Sequence, residues 1–440
     1  MRTLHIYRLL LLLLLSLPAS AVCQDVAPRA VDDGQWWGLF ADPTLDSLLV
    51  IARAGNNDVA VAALRIDQAT QAIRQASAAY YPDITASASW QRARRDGTTG
   101  GMYSLGVQAS WEIDVFGRNY SRVKESRYRR DVSRADYDAA MVSLCASVAT
   151  AYFDLRTAQA QMAVAAAHAE AQDTIVSKAV ARYEAGLASR LDVTQARTVL
   201  YSTRASVPAL HTRIQADVQS LALLCGVEAA VIAPMLQARD GVQPEYRRIV
   251  ASELPADMLR GRPDVVAAEA SVNAAAAALG VARKDYLPTL SITGSIGTEG
   301  VKPGDLFGRG SGTWSVAPTL SWTVFNGMAR RAAVVSARDA MEEQIASYRQ
   351  TVLNAGSEAA NALTAYNDAL RSIDLYKSVV EQSHESLLLS VDLYTQGLSP
   401  FSNVVDAQMN YLTYTNSLVD ARGNALAALA NLYRALGGAF

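Results

Sequence analysis

The sequence predicts a mainly α-helical chain that also carries membrane-type β-strands, laid out as two repeats of one pattern. Three observations predict it: a duplication that keeps its order, two pairs of segments with strict period-two alternation, and helical stretches far longer than a globular helix. Residues 57–226 align with 263–436 at an offset of about 206 to 211 residues. The matches fall at structural punctuation. Asn57-Asp58-Val59 faces Pro263-Asp264-Val265, Tyr81-Pro82 faces Leu287-Pro288, Ser110-Trp111 faces Ser321-Trp322, and Tyr183 to Leu187 faces Tyr394 to Leu398.

The alternating segments come first in each repeat. Ile84, Ala86, Ala88 and Trp90 alternate with Thr85, Ser87 and Ser89, and Tyr103 to Ile113 continues with apolar odd positions. Leu290, Ile292, Gly294 and Ile296, then Trp314 to Val324, alternate with Ser and Thr in the second repeat. Ten-residue segments that are apolar on one face and small-polar on the other, with Trp near their ends, are typical of outer-membrane strands. Hairpins are therefore expected over 83–113 and 289–324, with Arg94-Arg95 to Gly101 and Gly300 to Gly312 as exposed loops. Soluble hairpins on a globular domain are the alternative at this point. Four strands per chain fall short of the about eight that the smallest side-chain-filled barrels need, so membrane strands would require several copies to share one barrel.

The long stretches follow the strands. Ser121 to Ala185 holds neither Gly nor Pro, and as one helix would span roughly 97 Å at 1.5 Å per residue. From Met328 to Gln396 only Gly356 interrupts. Val405, Leu412, Val419, Leu426 and Tyr433 recur every seven residues, the seam of a supercoiled helix. Abundant alanine favours close packing around a lumen, with an ordinary helical bundle as the alternative. Gly186 and Gly397 stand where these helices must reverse, and Gly accepts the left-handed backbone of such a turn. Pro208 is expected to kink its helix.

Composition narrows the function. With 40 Lys+Arg against 42 Asp+Glu, 19% charged and 50% hydrophobic residues, the chain is neither disordered nor basic enough for a nucleic-acid partner. Cys23, Cys145 and Cys225 cannot build a disulfide framework, and Cys145 and Cys225 are expected as buried apolar residues. His5, His168, His211 and His384 lie far apart without ligands at metal spacing, so neither a metal nor a cofactor is expected. No nucleophile or phosphate-loop motif suggests an enzyme. Residues 1–22 read as a secretory signal peptide: Arg2 and Arg8, an apolar run from Leu9 to Leu17, then small residues. Ordinary cleavage after Ala19-Ser20-Ala21 and acylation of Cys23 both remain open, since Val22 departs from the small residue expected before a lipidated cysteine. No uninterrupted apolar run of about 18 residues follows the leader, so a β-barrel is the expected membrane element.

Several segments resemble the TolC-like outer-membrane efflux factors, in the branch that serves resistance-nodulation-division pumps (the NodT-type efflux lipoproteins). They are Trp36-Trp37 to Leu48 with Asp42-Pro43, Leu254 to Val265 with Arg262-Pro263-Asp264, Gly280-Val281-Ala282 before Tyr286-Leu287-Pro288, Ser206 to Leu210, and Leu432 to Gly438. The resemblance implies a homotrimer in which three copies of four strands build one twelve-stranded barrel, continued by a helical tunnel. It implies an amino-terminal segment at 23–56, repeats at 57–226 and 263–440, and an equatorial connector at 227–262. Trp36-Trp37 would anchor the amino-terminal segment on that belt. The duct would sit in outer-membrane lipid, dock a periplasmic adaptor through the tip turns Gly186-Leu187 and Gly397-Leu398, and be energised by an inner-membrane transporter, proton-driven in this branch. Asp192, Tyr394, Asn403 and Asp406 match aperture positions, with Tyr394 linked to Asp192 and Asp406 in an acidic ring. Asn403 departs from members that hold a second acid there. Helix capping by Asp192 and Asp406 is the plainer alternative. An outer-membrane component of an ATP-driven secretion system and a trimeric surface adhesin are the alternative functions. An adhesin would place its strands together at the carboxy-terminus. Arg94, Arg95 and Arg309 could meet lipopolysaccharide or merely be solvated.

Overall fold

A computed structural model describes residues 36–95, 98–237, 239–244 and 259–438. The leader, Cys23 and most of the expected connector lie outside the described residues. After a 3-10 turn at Trp36–Phe40 come α1 (Pro43–Gly55), α2 (Asn57–Ala78), β1 (Asp83–Arg95), β2 (Thr98–Ile113), α3 (Arg118–Glu184), α4 (Arg190–Cys225) and α5 (Ala229–Gln237). Then follow α6 (Pro263–Lys284), β3 (Thr289–Gly300), β4 (Gly312–Ser321), α7 (Ala329–Thr395) and α8 (Phe401–Ala435). The order helix, hairpin, long helix, helix thus occurs twice. Helices α3 and α7 have 67 residues each, roughly 100 Å of helix. Gly356 lies inside α7 and Pro208 inside α4 without ending either helix.

One antiparallel sheet of order β1-β2-β3-β4 collects all four strands. Its register aligns the alternation of every strand: Ala86 pairs with Val107, Val107 with Ile296, and Ile296 with Trp314, so the apolar residues of all four strands gather on one face. The other face carries Ser89 against Ser104 and Ser295 against Ser315, each pair bonded through its hydroxyls at 2.7 Å. A one-residue slip would scramble both faces, so the pattern itself specifies the register. Gly106 faces Gly297, and a Cβ on Gly297 would stand 2.7 Å from the Leu105 carbonyl oxygen, so the β2–β3 contact there requires Gly. Strand β4 ends at Ser321 rather than at the expected Val324, because β3 starts at Thr289, the partner of Ser321, and nothing lies across from residues 322–324. Trp322 instead donates its indole N–H to the Tyr286 carbonyl at 3.0 Å, as Trp111 does to the Tyr80 carbonyl at 3.0 Å in the first repeat.

By length and composition α3 and α6 are apolar enough to cross a membrane, which corrects the expectation that no helix of the chain qualifies. Their apolarity is largely alanine, whose short side chain raises hydropathy while letting the two helices pack on one another.

The core lies where α1, α3, α4, α5 and α8 meet, around Leu45, Leu48, Tyr152, Phe153, Leu221 and Leu432. Trp37 joins it, and Cys145 and Cys225 are buried as expected. The resembling motifs explain themselves here. Asp42 caps α1 by accepting from Thr44 N at 3.0 Å, accepts the Tyr152 hydroxyl at 2.7 Å, and pairs with Arg239 at 3.2 Å, although only 1% exposed. Burial, helped by the hydrogen bond to Asp42, pushes the Tyr152 hydroxyl up to about 12. Arg262 forks onto Asp264 at 3.0 and 2.8 Å, reaches Glu358 of α7 at 2.7 Å, and donates to the Ala435 carbonyl at the end of α8. Burial works to raise Asp264, but the hydrogen bonds and charge of Arg262 outweigh it and hold the carboxyl below its usual range.

Asp42→Ala removes a cap and leaves a buried phenol and the Arg239 cation without their acceptor. It is expected to cost about 2–3 kcal/mol, read as a lower thermal midpoint in detergent, with Asp42→Asn closer to wild type.

Candidate functional site

The free ends of the two helical hairpins, α3–α4 and α7–α8, share one small core. Ala179, Val193, Ala196, Tyr394, Phe401 and Val404 are buried together there, far along the chain from the main core. Both hairpins turn by the same device. Leu187 N donates to Arg182 O at 2.8 Å with Gly186 at φ +73, and Leu398 N donates to Leu393 O at 2.9 Å with Gly397 at φ +77. These bonds satisfy carbonyls that a helix end leaves open, and the positive φ explains glycine at both positions. No atom lies within 4 Å of a Cβ built on either glycine, so the demand is conformational. Leu187 and Leu398 project beyond the turns, 67% and 71% exposed.

Polar links tie one hairpin to the other across this core. Asp192, in the first turn of α4, accepts the Ser189 hydroxyl at 2.6 Å on one oxygen and the Tyr394 hydroxyl at 3.2 Å on the other. It therefore serves as cap partner and cross-link at once. Tyr394 is buried against Phe401, with ring centroids 5.0 Å apart. Arg182 lies over the Tyr394 ring at 5.0 Å and donates to the Thr395 carbonyl at 2.6 Å. Burial and the Asp192 carboxylate raise the Tyr394 hydroxyl above its usual value, with Arg182 opposing. Asn403 is exposed and donates to Ser399 Oγ at 2.9 Å, outside this network. Asp406 is exposed and stands apart from the network too.

Sequence reasoning named Asp192 and Tyr394 but missed Arg182. Its signal was a basic side chain in the last turn of α3, where a cation opposes the helix dipole. It also missed a layer further along the helices, where Tyr411 of α8 is sandwiched between His168 of α3 at 4.8 Å and His384 of α7 at 5.0 Å. Beside it the buried Gln172 amide has no partner. At this level α8 carries no charge between Asp406 and Asp420; α4 carries His211 and Arg204, the latter paired with Asp173 at 3.3 Å, and α7 carries Lys377, Glu381 and Glu385. None of these joins either imidazole. Among the described residues no His, Cys, Asp or Glu group is arranged to hold a metal.

Two alanine-rich helical hairpins, an amphipathic four-stranded sheet and a cross-linked helical tip are thus the features to compare with known proteins. The family model described as outer membrane efflux protein matches residues 48–227 and 254–438, and the chain belongs to that family. It is 29% identical over 433 residues to the probable efflux pump outer membrane protein TtgC of Pseudomonas putida, covering 96% of this chain and 88% of that protein. It is 30% identical over 400 residues to nodulation protein T of Rhizobium leguminosarum bv. viciae, covering 90% and 81%. The outer-membrane channel OprN superimposes with a TM-score of 0.86 at 29% identity, covering 92% of each chain. The protein is thus an outer-membrane efflux channel, mainly helical with one four-stranded sheet, as the sequence suggested.

Tyr394→Phe removes only the hydroxyl that meets Asp192, a bond of about 1 kcal/mol. The expected outcome is a higher resting conductance in planar bilayers, and an unchanged conductance would show that this link holds nothing shut. Burial holds the His168 imidazole below its ordinary value, so the packed layer binds fewer protons than the loosened one. Its stability is complete above about pH 6.5 and is lost as pH falls below that. Hydrogen exchange of residues 407–415, corrected for intrinsic rates, is expected to speed up at pH 5.5 in wild type and not in His168→Gln.

Proposed function

We propose that the protein is the outer-membrane exit duct of a tripartite efflux system, a homotrimer that passes small molecules from an inner-membrane pump and a periplasmic adaptor to the outside. The observation that carries this reading is the sheet. β1 and β4 each keep an unpaired edge among the described residues, one face is apolar and exposed, and the opposite face is small and polar. In hydrocarbon an open edge is untenable, so β4 of one copy pairs with β1 of the next until three copies close a twelve-stranded barrel. The helices support the same assembly: only six residues of the 67 in α7 are buried within one chain, while Leu353, Leu375 and Leu388 stay exposed for a neighbour. Residues 57–226 and 263–440 act as the two repeats of each protomer, with 227–262 as the connector at the waist.

The duct performs no chemistry, and selection of cargo belongs to the pump. At its inner end the tip network holds the aperture closed, the Asp406 carboxylates of three copies focus a negative potential on the constriction, and Asn403 leaves that ring single. The turns at Gly186-Leu187 and Gly397-Leu398 present exposed leucines to the adaptor. Opening requires breaking the Tyr394–Asp192 and Arg182–Thr395 links so that the hairpins part.

Crosslinking in intact cells, followed by mass spectrometry of the purified complex, is expected to recover three copies with an adaptor and a proton-driven transporter. An ATP-driven exporter in their place would turn the reading to secretion, and a trimer without partners would count against a duct. In planar bilayers Asp406→Ala is expected to reduce preference for cations, and unchanged selectivity would remove Asp406 from the aperture.

A further inference from the structure

The apolar face of β1 changes character at its far end. Ile84, Ala86, Ala88 and Trp90 share that face, and the next two residues on it are Arg92 and Arg94. Both are exposed, and neither guanidinium has a hydrogen-bond or ion-pair partner among the described residues. Opposite them on β2 stand Gly101 and Thr99, with Gly100 between. The Trp90 indole lies over Gly101, its Nε1 3.3 Å from where a Cβ would sit. Its N–H has no acceptor among the described residues, whereas the Trp111 and Trp322 indoles both donate to carbonyls at 3.0 Å. Of the acids at this end among the described residues, Glu299 belongs to the opposite face and Asp305 already accepts the Lys302 amide at 3.0 Å. In the second hairpin the equivalent positions hold Thr298 and Gly300, so the basic pair occurs once per chain.

We propose that Arg92, Arg94 and the Trp90 indole N–H form a binding site for the phosphate of an anionic outer-leaflet lipid. The proposal rests on the hairpins being membrane strands. The hairpin ends lie opposite the helices, so this end is the outer one, and the acyl chains of such a lipid cover the apolar residues below. Same-face neighbours on a strand are about 7 Å apart, close enough for two guanidinium forks to converge on one phosphorylated head. Arginine suits the site better than lysine because its planar fork matches phosphate oxygens two at a time.

The test uses full-length protein purified in detergent, mixed with a bisphosphorylated glycolipid or with the same lipid stripped of its phosphates, and native mass spectrometry of what each chain retains. Wild type is expected to retain the phosphorylated lipid selectively. Arg92→Gln with Arg94→Gln should weaken retention about thirtyfold, two interfacial charge contacts' worth. The double lysine variant should fall between, and Arg309→Gln, in the other loop, should bind as wild type. Equal retention by the double glutamine variant or of the dephosphorylated lipid would overturn the site. So would displacement by inorganic phosphate alone at equal concentration, which would make it an ion site. Extraction of wild type from membranes by alkali would instead defeat the membrane-strand reading, so the two failures are distinguishable.

Discussion

A strand that faces hydrocarbon has to place every backbone hydrogen bond within protein, and the sheet of this chain leaves two edges open. Much of the molecule follows from that constraint. A sheet of four strands cannot close alone, so in the proposed trimer its edges pair with neighbouring copies, and the copies set their helices around one axis. The proposed assembly also accounts for helices that bury so little within one protomer: α7 is long and alanine-rich, with only six of its 67 residues buried, and neighbouring copies would cover the rest. The main core is correspondingly local. It gathers where α1 and α5 lie against α3, α4 and α8, and leaves the sheet and most of α7 outside it.

The duplication is legible in individual hydrogen bonds. Trp111 and Trp322 each hold the carbonyl of the Tyr that precedes their hairpin, and Ser89–Ser104 and Ser295–Ser315 bridge the same rung of each hairpin. The tip turns repeat the same pair of backbone bonds. Where the halves differ, the difference joins one repeat to the other. Arg118 at the start of α3 bridges Glu112 of its own hairpin and Asp285 of the second repeat, at 2.7 and 3.2 Å. At the other end Asp192 and Arg182 of the first repeat hold Tyr394 and Thr395 of the second. Repetition builds the two hairpins, and divergence fastens them.

What the sequence made legible was whatever is set by local chemistry. Period two along β1 and β3, the heptad of α8, and glycine at two positions of positive φ each follow from a few neighbouring residues. Strand β4 was overextended because its end depends on where β3 begins, which no property of residues 322–324 reveals. The hydropathy of α3 and α6 was underestimated because alanine is apolar without looking like a membrane residue. Asp42 meets Tyr152 across 110 residues of chain, and Arg262 meets a bare carbonyl at Ala435. Backbone acceptors carry no signature in a sequence, which is also why Arg182 escaped notice while Tyr394 did not.

The strength of the tip latch sets what can open it. Within one protomer it comprises a phenol–carboxylate hydrogen bond, an arginine on a carbonyl, a cation over a ring and a handful of small apolar contacts. The two hydrogen bonds and the cation contact are each worth about 1 kcal/mol at a site this close to solvent. Three protomers moving together would then hold the closed state by several kcal/mol, enough to keep it dominant, since about 5.5 kcal/mol separates 1:99 from 99:1. Binding of an adaptor can supply that amount, because exposed leucines at six turns in a trimer offer it apolar surface next to the links that must break. A latch much stronger would need chemical energy at the tip, and a weaker one would leak. For the proposed duct, interactions this modest favour a passage opened by docking alone.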